Sequence, residues 1–337
     1  MTDIRRIRPT RRGVAVALVV GGAAAVAGTT GSRSLDAVVV PGVIALLVGG
    51  VQLVRAAPPA ITRSDPEPGH PGERRTVAVT VESTVPCTVV EAVDDGVSIP
   101  GARDESVTES VGHGGGFEYV VELGSRGEHV LGPARCRLAD SLGLFRADVE
   151  IEGSTTVLVY PEIFDIDPGA FSGLERGLHG GDRSTFDRLR EYTPADAVRD
   201  IHWRASAKRP DEEFVVAEYG VRSTSDAVTI VGESTPGGAD AMASAVASLV
   251  THFNTIGTTV TVVVSDRECT ASPRSSRVAL RALALTDGGE CSAGDRSRAD
   301  IHVSGDRDGA TLTAPDRGDA VAFESMTHTR EPEAMAA

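Results

Sequence analysis

Lysine is almost absent from this chain: Lys208 is the only one, and the rest of the 33 basic residues are arginine. Tryptophan is equally scarce, with Trp203 alone, and aromatic residues make up 4%. Four cysteines, Cys87, Cys136, Cys269 and Cys291, stand far apart with no C-x-x-C and no clustered histidine, which gives a zinc site no support. Cys87 and Cys136 could face each other across a β-sandwich, but pairing them requires an oxidising compartment, so buried free thiols are the preferred reading. G-x-S-x-G, H-E-x-x-H and a phosphate-binding loop are missing too, and no carboxylate pair stands in a recognisable frame. Neither catalytic residues nor a cofactor are therefore assigned.

What is abundant is negative charge. Asp and Glu number 48, and the net charge of -15 disfavours nucleic acid or an anionic lipid surface as partner of the soluble part. An acidic, lysine-poor composition suits a salt-loving cytoplasm, where carboxylates keep a protein hydrated; GC-rich coding bias is the alternative source. With 41% hydrophobic residues in 337, there is material for two domains and an appendage.

The appendage comes first. A basic flank (1–12) precedes two apolar runs, from Gly13 to about Gly28 and from Ala37 to Val54, parted by a short polar break. Each run is near the minimum that crosses a hydrocarbon core of ~30 Å as a helix. Together they predict a two-helix membrane hairpin over 13–56, with lipid as its partner. Arginines crowd both flanks whereas the connecting loop holds only Arg33, so the positive-inside rule places the large remainder in the cytoplasm. A second reading stays open: Arg11-Arg12 before an apolar stretch resembles a twin-arginine export signal, with Ala23-Ala24-Ala25 as small residues for cleavage.

Proline and glycine dominate 57–75, which predicts a stiff, extended linker holding the next domain off the membrane. From 76 to 161 short alternating runs follow, among them Thr76–Val81, Cys87–Val93, Phe117–Leu123, Glu128–Leu131, Phe145–Ile151 and Thr155–Tyr160. Their period of two and the glycine-rich breaks between them predict an antiparallel β-sandwich of roughly seven strands.

Next, 162–225 contains the most densely charged stretch, with Arg190, Glu191 and Tyr192, then Asp196, Arg199, Asp200, His202, Trp203, Arg204 and Lys208. Thr193-Pro194 supplies a helix start, and a short helix over Asp196–Trp203 would bury Val198 and Ile201. The arginines and carboxylates can satisfy one another, so a structural brace is favoured over a docking surface or anion site.

This segment, with Gly132-Pro133, Asp140-Ser141-Leu142-Gly143-Leu144-Phe145 and Val159-Tyr160-Pro161 before it in the same order, resembles the domain of unknown function 58 family over roughly Arg126 to Val231. The resemblance implies membrane association, a C-terminal half like a von Willebrand factor A domain, and a MoxR-type AAA+ ATPase as partner, such ATPases often being encoded beside the family. It carries no catalytic residues.

The C-terminal stretch 226–327 reads as that α/β domain. Phe214–Tyr219 and Ala227–Val231 are strands, Asp240–Phe253 a helix, Thr258–Val264 a strand, Arg274–Leu285 a helix and Ala299–Val303 a strand, with edge strands near Leu312 and Val321. The alternation implies parallel pairing, and ligands of such sheets bind at the carboxyl ends of the strands. Von Willebrand-type domains often hold a divalent metal there on Asp-x-Ser-x-Ser. Here the corresponding Gly232-Glu233-Ser234 lacks the leading aspartate, so the expected site is degenerate and metal-free, with Glu233 or Asp240 as possible substitutes. The tail, 328–337, is expected to be disordered. The fold class is thus α+β and multidomain. The expected function is a membrane-tethered, non-enzymatic scaffold or adaptor; the alternative is a Mg-dependent ligand-binding module.

Overall fold

The computed structural model describes residues 5–31, 33–101, 106–169, 186–191, 215–219, 227–265, 267–314 and 320–328. The chain divides into two compact units, Met1–Tyr160 and Pro161–Ala337.

The first unit begins with a strand, β1 (Arg5–Pro9), rather than a free basic flank. Thr10 then caps helix α1 (Arg11–Thr30), its hydroxyl accepting from the Gly13 amide, and Gly31 closes the helix in the left-handed conformation. A single 3-10 turn (Arg33–Leu35) leads to α2 (Asp36–Arg55). Both helices are apolar and 20 residues long, a length of roughly 30 Å at 1.5 Å per residue. Their outward residues, including Leu18, Val19, Ile44, Leu47 and Val54, are exposed. Close approach between the helices depends on Gly42, where a Cβ would lie 2.2 Å from a Val20 methyl; small residues at such crossings are a membrane-helix device.

Beyond α2 come β2 (Ala60–Arg63), β3 (Arg74–Glu82), β4 (Cys87–Val93), β5 (Val97–Ser98), β6 (Ser106–Val111), β7 (Gly115–Leu123), β8 (Gly127–Ala139), β9 (Phe145–Ile151) and β10 (Thr155–Val159). All pair antiparallel, in two sheets ordered β2-β3-β7-β5 and β1-β9-β8-β4-β6, with β10 also on β8. Alternate valines and leucines from both sheets, among them Val77, Val79, Val121, Val89, Leu131 and Leu138, form one hydrophobic core, which makes the unit a β-sandwich.

Three expectations need correction. Among the described residues the sandwich has ten strands, the additional ones being short or polar. The stretch 57–75 is not a spacer: β2 pairs with β3 from Ala60 opposite Glu82 to Arg63 opposite Val79. Leu53 and Ala56, at the end of α2, belong to the sandwich core, so the helices join the domain without a free tether. Cys87 and Cys136 do not face each other across the sandwich either. They lie on neighbouring strands of one sheet, Cys87 opposite Leu138 and Cys136 opposite Val89, and are buried free thiols.

In the second unit, β11 (Asp165–Ile166) is followed by an antiparallel pair, β12 (Phe186–Glu191) and β13 (Val215–Tyr219), with Arg190 opposite Val216 and Glu191 opposite Val215. The main sheet holds β14 (Ala227–Ser234), β15 (Thr259–Val264), β16 (Arg267–Ala271), β17 (Ile301–Gly305), β18 (Ala310–Thr313) and β19 (Ala320–Ala322), in the order β16-β15-β14-β17-β18-β19. A final short strand, β20 (Thr327–His328), pairs with β11. Helix α3 (Ala239–Thr255) packs its apolar stripe of Met242, Val246, Leu249, Val250 and Phe253 against the sheet, and Gly257 takes a left-handed φ just beyond it. Two shorter helices follow, α4 (Arg277–Ala284) and α5 (Ala293–Arg298).

Only β14, β15 and β17 are parallel; β16, β18 and β19 run antiparallel, so the sheet is mixed where uniform parallel pairing was expected. The helix expected from Arg274 starts at Arg277, because β16 and the turn after it occupy the residues before.

Candidate functional site

In the second unit the chain leaves β14 through α3 for β15 on one side, then returns through α4 and α5 to β17 on the other. A crevice opens at such a reversal, beyond the carboxyl ends of the strands. Here it is a cleft of about 570 Å³ lined by Glu233–Pro236 at the end of β14 and just beyond it, Asp287–Glu290 in the loop before α5, Arg296 of α5 and Ser304 of β17.

Strand alternation decides what each position offers. A Cβ on Gly232 would lie 2.7 Å from the Met242 sulfur and near Val246 and Val264, so that position points into the packing beneath α3. An aspartate there would be driven into the core. Gly232 is a packing glycine, and the residue offered to the cleft is its neighbour Glu233.

Glu233 is buried and its carboxylate is fully engaged. The Arg296 Nε donates to Oε1 at 2.8 Å and Oε2 at 3.0 Å, the Cys291 amide donates to Oε1 at 2.5 Å, and His302 Nε2 lies 2.6 Å from Oε2. Burial by itself would raise the pKa of this acid. The Arg296 guanidinium, the Cys291 amide and His302 outweigh it and hold the carboxyl at about 2. Reciprocally, Glu233 raises the Arg296 pKa, while burial pushes the Cys291 thiol up, away from reactivity.

The 286–290 loop is strapped to the end of β14. The Ser234 amide donates to the Gly289 carbonyl at 3.0 Å, and the Gly289 amide returns a bond to the Ser234 hydroxyl at 3.2 Å. Gly288 and Gly289 both have left-handed φ, and a Cβ on Gly288 would strike the Ser234 hydroxyl, so glycine is required there. The cleft is consequently a fixed polar surface with an ion pair in its wall. It presents Ser234, Ser304 and the carboxylates of Asp287 and Glu290 to a ligand.

Among the other expected residues, Asp240 sits on the first turn of α3 and lines a separate hollow of about 280 Å³ beside Phe164 and Phe323, so it does not join Glu233. Among the described residues no three of His, Cys, Asp and Glu stand close enough together to hold a metal. Arg190 and Glu191 lie in β12; Tyr192, Asp196, Arg199, Asp200, His202, Trp203, Arg204 and Lys208, with the helix expected over them, lie outside the described residues. Sequence reasoning passed over Arg296 and His302. His302 had a signal: it takes an outward position of β17, between the buried Ile301 and Val303, and stands opposite Val231 in the register.

A second engaged carboxylate lies in the first unit. Glu91 of β4 and Arg63 of β2 join the two sheets through the sandwich core, with Nε 2.5 Å from Oε1 and Nη2 3.1 Å from Oε2. Arg63 Nη1 donates in addition to the Gly153 carbonyl at 3.1 Å. Their side chains are 0% and 5% exposed, respectively. The nearby Tyr119 hydroxyl is buried with no hydrogen-bond partner, and its pKa is raised by burial and then by the Glu91 charge.

No family model and no curated protein matches this chain. Among solved structures, the CARDB domain of a Pyrococcus furiosus protein aligns with 30% of the chain and 92% of its own length, at 16% identity and a TM-score of 0.20. The complex of zinc 2-glycoprotein with prolactin inducible protein from human seminal plasma aligns at 13% identity over 31% of this chain and 96% of that one, with a TM-score of 0.23. A PKD domain of an M14-like peptidase from a Thermoplasmatales archaeon aligns at 17% identity, 30% and 91% coverage, and a TM-score of 0.18. At such scores the architecture rests on the strand pairing and shared core described above.

Proposed function

We propose that this protein is a membrane-anchored, non-enzymatic scaffold of the domain of unknown function 58 type, whose second unit is a von Willebrand factor A-like platform for a protein partner. The observation that carries the reading is the hairpin. Two apolar helices of membrane-spanning length, with exposed apolar outer faces, both lead at the same end into the β-sandwich. Arg11, Arg12 and Arg55 stand at that end and Arg33 at the other, which favours a cytoplasmic sandwich.

The platform reading is supported by the three parallel strands β15-β14-β17 and the cleft at their carboxyl ends. A ligand met there finds hydroxyls, a glycine loop and carboxylates, a surface suited to polar protein contacts. Glu233, the acid best placed to hold a divalent ion, already has both oxygens committed to Arg296, His302 and an amide. This favours recognition without metal. The proposed partner, by family resemblance, is a MoxR-type AAA+ ATPase.

The test is co-purification of the full chain from native membranes at native salt. A MoxR-type ATPase that stays bound to the wild type and is lost with Asp287→Arg/Glu290→Arg is the expected outcome. A chain that extracts as a free soluble protein, or membranes that yield it without partner, would refute the proposal. Heat from a Mg2+ titration that vanishes in Glu233→Gln would establish the metal-dependent module in its place.

A further inference from the structure

The turn between β8 and β9, Asp140-Ser141-Leu142-Gly143-Leu144, is seated between the two membrane helices. Asp140 builds it: one carboxylate oxygen accepts from the Leu142 amide at 3.0 Å and the other from the Phe145 amide at 2.6 Å, while Gly143 takes a left-handed φ of 68°. Each helix then holds it with a polar residue and makes room with a glycine. From α1, the Thr10 amide donates to the Leu144 carbonyl at 2.8 Å and its hydroxyl to the Gly143 carbonyl at 2.6 Å. From α2, Gln52 exchanges two bonds with Ser141, at 2.8 and 3.1 Å. A Cβ on Gly13 would lie 2.0 Å from the Leu144 oxygen, and one on Gly49 would lie 2.9 Å from the Asp140 carboxylate.

These contacts fix the depth of the turn. Gly49 is six residues from Arg55, about 9 Å along the helix axis at 1.5 Å per residue. Val14 beside Gly13, and Val48 and Val51 beside Gly49, are all outward-facing and exposed. The apolar belt of the hairpin therefore extends down to the level of the turn. With the Ser141 amide and hydroxyl, the Leu142 amide and the Gly143 and Leu144 carbonyls taken up by Gln52, Asp140 and Thr10, the turn presents Leu142, 54% exposed, at its tip. An exposed leucine is ordinary on a protein surface; its position level with a lipid-facing belt is what gives this one a partner.

We infer that the Asp140–Leu144 turn is a third membrane-contacting element, with Leu142 inserted at the boundary between lipid headgroups and acyl chains, and that it fixes the sandwich against the bilayer. The inference rests on the hairpin spanning a membrane, as proposed above.

To test it, the full chain carrying Cys269→Ser is reconstituted in phosphatidylcholine–phosphatidylglycerol vesicles with one fluorophore, attached at Leu142→Cys, Val43→Cys or Glu152→Cys. Val43 is in mid-α2, and Glu152 follows the far end of β9, roughly 27 Å from the turn at about 3.4 Å per residue. Quenching by spin-labelled lipid is compared with quenching by aqueous iodide. The expected result is lipid quenching at Leu142 at least threefold stronger than at Glu152 and greatest for a shallow spin label, with Val43 shielded from iodide. Leu142 matching Glu152 while Val43 stays lipid-quenched would overturn the inference and leave the anchor standing. Iodide access at Val43 equal to that at Glu152 would remove both.

Discussion

Two carboxylates, Glu91 and Glu233, each bind an arginine through both oxygens, and the difference lies in what surrounds them. The Glu91–Arg63 pair is sealed within the sandwich core. The Glu233–Arg296 pair forms the wall of a cleft, where the arginine side chain is 44% exposed. A sealed pair gains little net stability, because desolvating both ions offsets their attraction, yet losing one partner strands a buried charge. An open pair costs less to break and can respond to solvent and ligand. The first is a structural brace between sheets and the second a component of a surface.

Removing one half of the sealed pair should have the largest effect. Arg63→Ala is predicted to destabilise the sandwich by about 3–5 kcal/mol, seen as accelerated hydrogen exchange of β4 and β8 amides in the full chain. The double variant Arg63→Met/Glu91→Leu should recover most of that loss. A double variant as unstable as the single one would show that the pair contributes more than charge compensation.

Glu233→Gln should be milder, about 1–3 kcal/mol, and confined to exchange at β14, β17 and the 286–290 loop. Its pH dependence has a definite sign. The folded carboxyl, at about 2, lies below the ordinary value of 4.5. Its contribution is therefore complete above pH 4.5 and disappears as pH falls toward 2. In that window protection of β14 should fall in the wild type, and the share due to Glu233 should be missing from Glu233→Gln.

Salt should separate the two pairs more finely. Raising it from 0.1 to about 1 M shortens the screening length from about 10 to about 3 Å, which should loosen the loop held by Arg296 while leaving β4 protection unchanged. The smallest effect is expected at Tyr119. Its hydroxyl has no partner, so Tyr119→Phe should leave the sandwich as stable as before or up to about 1 kcal/mol more so, by the same exchange measurement. A clear loss would mean that the hydroxyl does have a partner.

The comparison also marks how far the sequence could be read. Cys87–Val93 was legible as a strand, and Glu91 occupies an inward position of its alternation, between Val89 and Val93. Its partner was hidden, because Arg63 follows two prolines in a stretch with the composition of a linker. Only long-range pairing of β2 with β3 reveals that stretch as part of the sandwich. In the second unit, β14, α3 and β15 were legible from β-branched runs and a helical stripe. The polar strand β16, Arg-Glu-Cys-Thr-Ala, has no apolar alternation to show it. The cleft's position followed from strand order, but Arg296 and His302 reach Glu233 only through tertiary folding.

One feature bears on how the molecule can be made and processed. Strand β1 precedes both helices and covers the outer edge of β9, Pro9 opposite Phe145. A cut within or after α1 would separate that strand from the sandwich, which keeps α2, and loss of the strand would leave a raw sheet margin able to recruit other chains. If the hairpin spans a bilayer as proposed, β1 and β9 have to lie on the same side of it in order to pair. In the proposed topology, the pairing of β1 with β9 thereby ties completion of the sandwich to placement of the hairpin.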